Sequence, residues 1–285
     1  MLPSRIRNSI YDLLPTPIRL QGRAFFSNYL LDLSDRLSGK ADPDIPPRHL
    51  NISGDGPFRQ YGQNNVELCR KYAGLEPGDA VLDIGCGIGR TAIALAGFLQ
   101  PPGRYAGFDV IRFAVGWCQK HIQSRYPNFS FVHADVHNRT YNSGGLLKPD
   151  RYRFPYKDGE FSFALATSIF THLTPSAAER YIAEAARVLK TGGTFLSTWF
   201  LLEEGVAQAS ESHLERFPHR FEHHAQGSLH APEQAVAFEK GYVQRLFIAN
   251  NFIVEGLYKG DWSGTADHIE SMQDVIVARR LPKSS

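Results

Sequence analysis

The run Val81-Leu82-Asp83-Ile84-Gly85-Cys86-Gly87-Ile88-Gly89-Arg90 gathers residue types that can hold a small ligand where a strand turns into a helix. Glycines at 85, 87 and 89 let the backbone turn tightly and come close to a ligand at the start of the following helix. That much suits several nucleotides. A dinucleotide fingerprint G-x-G-x-x-G counted from Gly85 needs glycine at 90, where Arg90 stands, and it sets an anionic pyrophosphate beside the turn. Asp83, two residues before the first glycine, would repel a pyrophosphate but attract a cationic amine or sulfonium. The P-loop alternative fails because no Gly-Lys-Ser/Thr follows.

Short apolar runs at 81–84, 105–108, 129–133, 161–167 and 194–200 recur at α/β spacing, with helix-sized segments between them. Near-continuous apolar strands alternating with helices predict a parallel sheet covered on both faces. The clearest helix runs from Thr174 to Lys190, with Thr174 as N-cap, Pro175 in the first turn and Gly192-Gly193 as the stop. Helices are also expected over 18–37, 60–72, 91–99 and 232–249, and two last strands over 252–258 and 274–279. Residues 1–50, rich in proline, read as an N-terminal extension, and 51–285 as one domain interrupted by an insertion at about 201–245. The stretch 201–231 is polar, rich in His and Phe, and lacks apolar periodicity, so it reads as a lid or acceptor-binding segment.

The chain has 285 residues, 42% hydrophobic and 21% charged, with a formal net charge of +2, which suits a folded globular protein. No Lys/Arg run marks a nucleic-acid footprint. Cys69, Cys86 and Cys118 form neither a disulfide framework nor a CxxC pair and read as core thiols. No apolar run reaches the ~20 residues of a membrane span, and the start does not read as a signal peptide, so the expected location is cytoplasmic. The aromatic face of the 18–37 helix is expected to pack against its own domain, with contact to a membrane or a partner as the alternative, and the oligomeric state is not legible. His219 and His223 are four apart, but no third ligand has a defined spacing, so no metal site is expected.

The motif Asp83-Ile84-Gly85-Cys86-Gly87-Ile88-Gly89 resembles the first motif, D-x-G-x-G-x-G, of the class I S-adenosyl-L-methionine (SAM)-dependent methyltransferases, and the resemblance continues in order over about residues 60–200. It implies a Rossmann-like α/β fold with a seven-stranded, mostly parallel sheet, helices on both faces and an antiparallel last strand. It implies SAM as cofactor and S-adenosyl-L-homocysteine as product. Asp83, Gly85, Gly87 and Gly89 would lie at the cofactor, Asp109 and Val110 at its ribose, Asp135 and Val136 at its adenine, and Thr167 at the end of the fourth strand. The Asn/Asp-Pro-Pro-aromatic signature of nucleobase and amino-group enzymes is absent after that strand. His172 stands where many similar small-molecule O-methyltransferases carry a histidine base. The runs Arg153-Phe154-Pro155-Tyr156 and Thr167-Ser168-Ile169-Phe170-Thr171-His172 look like a bacterial subgroup associated with surface-glycan biosynthesis.

A hydroxyl is a poor nucleophile until deprotonated, and a histidine with pKa near ~6.5 can take that proton, typically for ~10²–10⁴-fold in rate. The expected activity is therefore SAM-dependent O-methylation of a small-molecule or carbohydrate hydroxyl with His172 as base. Asn138, Tyr141, Phe221 and His223 are the candidate acceptor contacts. N-methylation of a small-molecule or sugar amine stays as the enzymatic alternative, and a non-catalytic SAM-binding partner subunit as the alternative of another class.

Overall fold

The computed structural model describes residues 18, 21–52, 57–203, 216–263 and 271–282. Helix α1 (Arg23–Leu37) is followed by a 3-10 turn at Arg48–Leu50 and by α2 (Phe58–Ala73), which Gly74 closes in the left-handed conformation at φ 66°. The α/β series is then β1 (Ala80–Ile84), α3 (Arg90–Ala96), β2 (Arg104–Asp109), α4 (Arg112–Cys118, prolonged by a π turn), β3 (Phe129–His133), β4 (Phe161–Ala166), α5 (Pro175–Val188) and β5 (Leu189–Trp199).

The main sheet has seven strands in the order β10-β11-β5-β4-β1-β2-β3, where β10 is Phe252–Tyr258 and β11 is Asp274–Arg280. Strands β1 to β5 run parallel, whereas β11 lies antiparallel to both β5 and β10. The fold expected from the sequence is therefore present, with the last strand reversed. Alternation along each strand feeds two apolar layers. Leu82, Ile84, Ala106 and Phe108 pack on α5 with Tyr181 and Ile182. Val81, Tyr105, Phe163 and Leu165 pack on the opposite side with Leu68, Cys69 and Leu95. All three cysteines are buried and free.

The structure corrects several boundaries. Helix α5 stops at Val188, four residues before the Gly192-Gly193 pair expected to end it, and β5 begins at once. Gly192 at φ 78° instead serves a bulge, since pairing with β4 slips from Phe161↔Leu189 to Phe163↔Thr194. The insertion departs further. Residues 236–239, read as helical, form a strand, and α6 spans only Lys240–Ala249. Strands β6 (Leu201–Leu202), β7 (His219–Arg220), β8 (His224–Gln226) and β9 (Val236–Glu239) build a second sheet in the order β6-β9-β8-β7. Phe217, Val236, Ala237 and Phe238 are fully buried, so the stretch expected to act as a lid is anchored at these positions by apolar packing among exposed polar residues. Residues 204–215 of that expectation lie outside the described residues.

A buried acid ties the outer helix to the sheet. Glu184 of α5 is 3% exposed, accepts the Phe154 N–H at 2.8 Å and pairs with Arg187 at 2.6 Å and Arg180 at 3.2 Å. It thereby holds the strap whose Phe154 ring packs 4.7 Å from Phe108. Glu184→Ala leaves the Phe154 N–H unanswered and Arg187 with only the exposed Asp158, at 2.7 Å, and urea unfolding should show a loss of about 3 kcal/mol; a loss under about 1 kcal/mol would contradict this account of the strap.

Candidate active site

Both neighbours of β1, β2 and β4, lie to opposite sides of it, so the connections diverge there and leave a crevice at the carboxyl ends of the strands. A cavity of about 690 Å³ occupies that crevice. Its wall on the β1 side is the glycine turn. Gly85, Gly87 and Gly89 have φ of 80°, 53° and 82°, values that residues with a side chain rarely adopt. The turn folds back on β2, where the Gly85 and Cys86 N–H groups donate to the Phe108 carbonyl at 2.9 and 3.0 Å. Gly85 and Gly87 line the cavity, while a Cβ on Gly89 would meet Cys118 and Ile122 in the core. Gly89 thus serves packing.

Two carboxylates stand at this corner. Asp109, which lines the cavity, accepts the N–H of Gly87 at 2.8 Å and of Ile111 at 2.9 Å, one on each oxygen. Burial raises its pKa against those bonds. Asp83 is 2% exposed. Its Oδ2 accepts the Tyr105 hydroxyl at 2.8 Å, and its Oδ1 has no hydrogen-bond partner among the described residues. Burial pushes its pKa up to about 7, opposed by the Tyr105 bond and reinforced by the Asp109 charge. A buried carboxylate with an unanswered oxygen on a cavity wall fits a cationic ligand group. Val110, Val136 and Thr167 also line the cavity.

Asp135 does not line the cavity, and the loop after β3 folds back on it. Asn142 Nδ2 donates to the Asp135 carboxylate at 3.3 Å, and Val136 bridges to Leu147. Asn138 and Tyr141 do line the cavity, although Asn138 Oδ1 is occupied by the N–H groups of Thr140 and Tyr141 at 3.0 and 2.9 Å. Phe221 and His223 lie elsewhere. They sit in the hairpin between β7 and β8, where Phe221 stacks on His224 at 4.5 Å and His223 bonds Glu239 and stacks on Tyr242. Neither lines the cavity. Among the described residues no group of three His, Cys, Asp or Glu is placed to hold a metal ion.

His172 ends the 3-10 turn Phe170–His172 after β4 and lines the cavity. Its Nδ1 lies 2.9 Å from the Glu233 carbonyl oxygen, which can only accept, so Nδ1 carries the proton and Nε2 the lone pair. Burial lowers its pKa, against the Glu233 and Gln234 carbonyls that raise it, so the ring is neutral at pH 7. The Tyr141 ring meets it edge-on at 5.9 Å. Sequence reasoning missed Glu233, Thr171 and Arg90 on the cavity wall. Thr171 Oγ1 and Glu233 Oε2 are buried without a hydrogen-bond partner among the described residues. Arg90 packs its guanidinium on the Tyr61 ring, 5.0 Å from the centroid, and burial lowers its pKa. Only Arg90 carried a signal, as the residue that breaks the dinucleotide fingerprint.

The seven-stranded sheet with one reversed strand and helices on both faces is a Rossmann-like fold that matches solved methyltransferases. Residues 81–193 match the family described as methyltransferase domain, about the middle two-fifths of the chain. The chain is similar to a 2-phytyl-1,4-naphtoquinone methyltransferase of Nostoc sp., 30% identical over 45% of this chain and 51% of that protein. It is also similar to a fatty-acid O-methyltransferase of Mycolicibacterium smegmatis, 28% identical over 54% of this chain and 48% of that one. The chain thus spans about half the length of these relatives. A SAM-dependent methyltransferase of Methanosarcina mazei superposes with a TM-score of 0.52 at 21% identity, covering 75% of this chain and 97% of that one. The geranyl diphosphate C-methyltransferase of Streptomyces coelicolor A3(2) superposes with a TM-score of 0.52 at 12% identity, covering 83% and 90%. These likenesses are likenesses of fold.

The raised pKa of Asp83 makes stability depend on pH. Between the ordinary carboxylate value of ~3.9 and about 7 the folded chain binds the proton more tightly than the unfolded one, so its stability falls as pH rises through that window. Without ligand, Asp83→Asn should flatten this decline and gain on the order of 2 kcal/mol at pH 8 by chemical denaturation. Because the lowered pKa of His172 acts in the opposite sense, the difference between variant and wild type is the readout: a difference that does not grow from pH 4 to pH 8, or a destabilised variant at pH 8, would contradict the burial of the Asp83 charge.

Proposed function

We propose that the chain is a SAM-dependent methyltransferase that methylates a hydroxyl of a small molecule, with His172 as the base. The observation that carries this reading is the His172 tautomer: the Glu233 carbonyl takes the Nδ1 proton and leaves Nε2 as an acceptor in the cavity wall. The residues fit SAM. Asp83 Oδ1 would take the ammonium of its methionine end, Asp109 retains lone pairs for ribose hydroxyls, and Arg90 stands on the same wall for a carboxylate. When bound, SAM supplies an electrophilic methyl group on a sulfonium. The chain's own part is to hold the acceptor in line, which can contribute about 7–11 kcal/mol, and to accept the hydroxyl proton at His172 Nε2.

The apolar share of the lining, from Ile52, Leu68, Phe108, Ile111, Leu173 and Phe200, favours an acceptor with an apolar body. The relatives named for naphthoquinone and fatty-acid substrates agree with that choice. Carbohydrate and amine acceptors are the competing readings, and a label assay separates them. Incubation with methyl-labelled SAM and fractionated extract, followed by mass analysis, should give a methyl ether or ester of a small apolar molecule; a labelled sugar or amine would overturn the acceptor assignment.

For the base, His172→Ala should lose about 10²-fold or more in turnover with cofactor affinity retained. Because burial lowers the His172 pKa, the wild-type rate at saturating SAM should hold down to the ordinary value of ~6.5 and decline only below it, and the variant at saturating SAM should lack that acid limb. Near-normal turnover in the variant would make His172 structural.

A further inference from the structure

Helix α1 packs inside out. Its polar groups face the domain: Asp32, 8% exposed, accepts the N–H groups of Arg48 and His49 at 3.0 and 3.1 Å, and Asp35 pairs with Arg48 at 2.7 Å. Its apolar groups face outward. Phe26, Leu30, Leu33 and Leu37 recur at helical spacing and are 61%, 65%, 45% and 82% exposed, with Tyr29 and Leu31 flanking them. A soluble helix normally turns such a row to its own core, and this one gives its core side to an acid and two basic partners.

Charge indicates what meets the row. The acids of α1 are consumed inward by Arg48 and His49, whereas Arg36 at the end of the helix is exposed. Lys120 lies nearby, as does Arg125, which is paired with Asp44: after burial, their charges and that of Arg36 lower the pKa of His121. Upstream, the sequence carries Arg5, Arg7 and Arg19 against Asp12 alone, and Arg23 opens the helix. A row of leucines edged by cations is complementary to anionic lipid headgroups over an apolar interior. A second copy paired on the same row would bring Arg36 and its neighbours against their own duplicates.

The helix is also fastened to the cavity wall. Gln21 donates to the carbonyls of Arg48 and Asn51 at 3.1 and 3.0 Å, Arg90 reaches Asn51 at 3.5 Å, and Arg90 and Ile52 line the cavity. We infer that the exposed face of α1 docks this chain on an anionic membrane surface and so holds the cavity beside the lipid headgroups. The inference stands apart from the methyl-transfer reading, since it needs only the helix, its charges and the cavity beside it.

Co-sedimentation of the full chain with vesicles tests it, using phosphatidylcholine alone and an equal mixture of phosphatidylcholine and phosphatidylglycerol. The chain should sediment with the mixed vesicles, less so with the neutral ones, and less at high salt. The double substitution Leu30→Gln with Leu33→Gln should weaken binding about tenfold or more, because it removes two inserting side chains. Both leucines are exposed, so the variant should keep the wild-type thermal midpoint and affinity for S-adenosyl-L-homocysteine, and light scattering of both proteins in solution completes the test. Wild-type protein that stays in the supernatant with both vesicles, or a variant that sediments equally well, would overturn the inference. So would a wild-type dimer that the variant converts to a monomer, which would give the row to a second copy.

Discussion

Two carboxylates buried side by side at the ends of adjacent strands set the terms for everything around the cavity. Burial raises the pKa of both Asp83 and Asp109, and the Asp109 charge adds to the rise at Asp83. The protein answers part of this with fixed donors, giving Asp109 two backbone N–H groups and Asp83 the Tyr105 hydroxyl. The register Asp83↔Gly107 explains why a glycine sits on β2 opposite the acid: a Cβ there would come within 2.8 Å of both Cys86 Cβ and the Tyr105 hydroxyl that Asp83 needs. What remains is one unanswered oxygen at the cavity wall. That is an electrostatic demand for a cation, and it separates this corner from the dinucleotide sites that share its glycine turn.

The opposite wall is organised by the second sheet. Strand β9 pairs in parallel with β6 and brings the 3-10 turn at Pro232–Gln234 against His172. A segment that looks like an excursion from the main domain thus supplies the carbonyl that sets the His172 tautomer. The buried Phe217 and Phe238 make this a rigid support, which suits a base whose lone pair must be held in place. Strain sits close by: Ser168, at the end of β4, has a φ of 58° without being glycine, and its N–H donates to Thr198 at 2.7 Å.

Legibility in the sequence followed the physics of each element. The parallel strands are buried on both faces, so their apolar runs stand out, and six of the seven strands of the main sheet begin within one residue of where they were expected. The seventh, β5, begins five residues early, at Leu189, because a glycine pair that normally stops a helix was used for a bulge. The second sheet was illegible because its strands are two to four residues long, too short to show a period, and its His and Glu residues mimic a polar loop. At the site, glycines and acids on strand ends could be placed by counting, which brought Asp83, Gly85, Gly87 and Asp109 to the cavity. The same count did not bring Asp135 to the cavity wall, since Asn142, seven residues on, bonds its carboxylate within the loop. Glu233 could not be found, since its part in orienting His172 is played by a main-chain carbonyl.

Calorimetric titration of the wild-type chain with S-adenosyl-L-homocysteine, repeated from pH 8 to pH 5.5 and beside a titration with NAD, tests the central claim most directly. The account predicts one site per chain, no competition from NAD, and an affinity that weakens as pH drops below about 7, where the unliganded Asp83 takes up a proton and no longer offers a charge to the ligand's ammonium. Absence of binding, displacement by NAD, or an affinity that strengthens on acidification would contradict it.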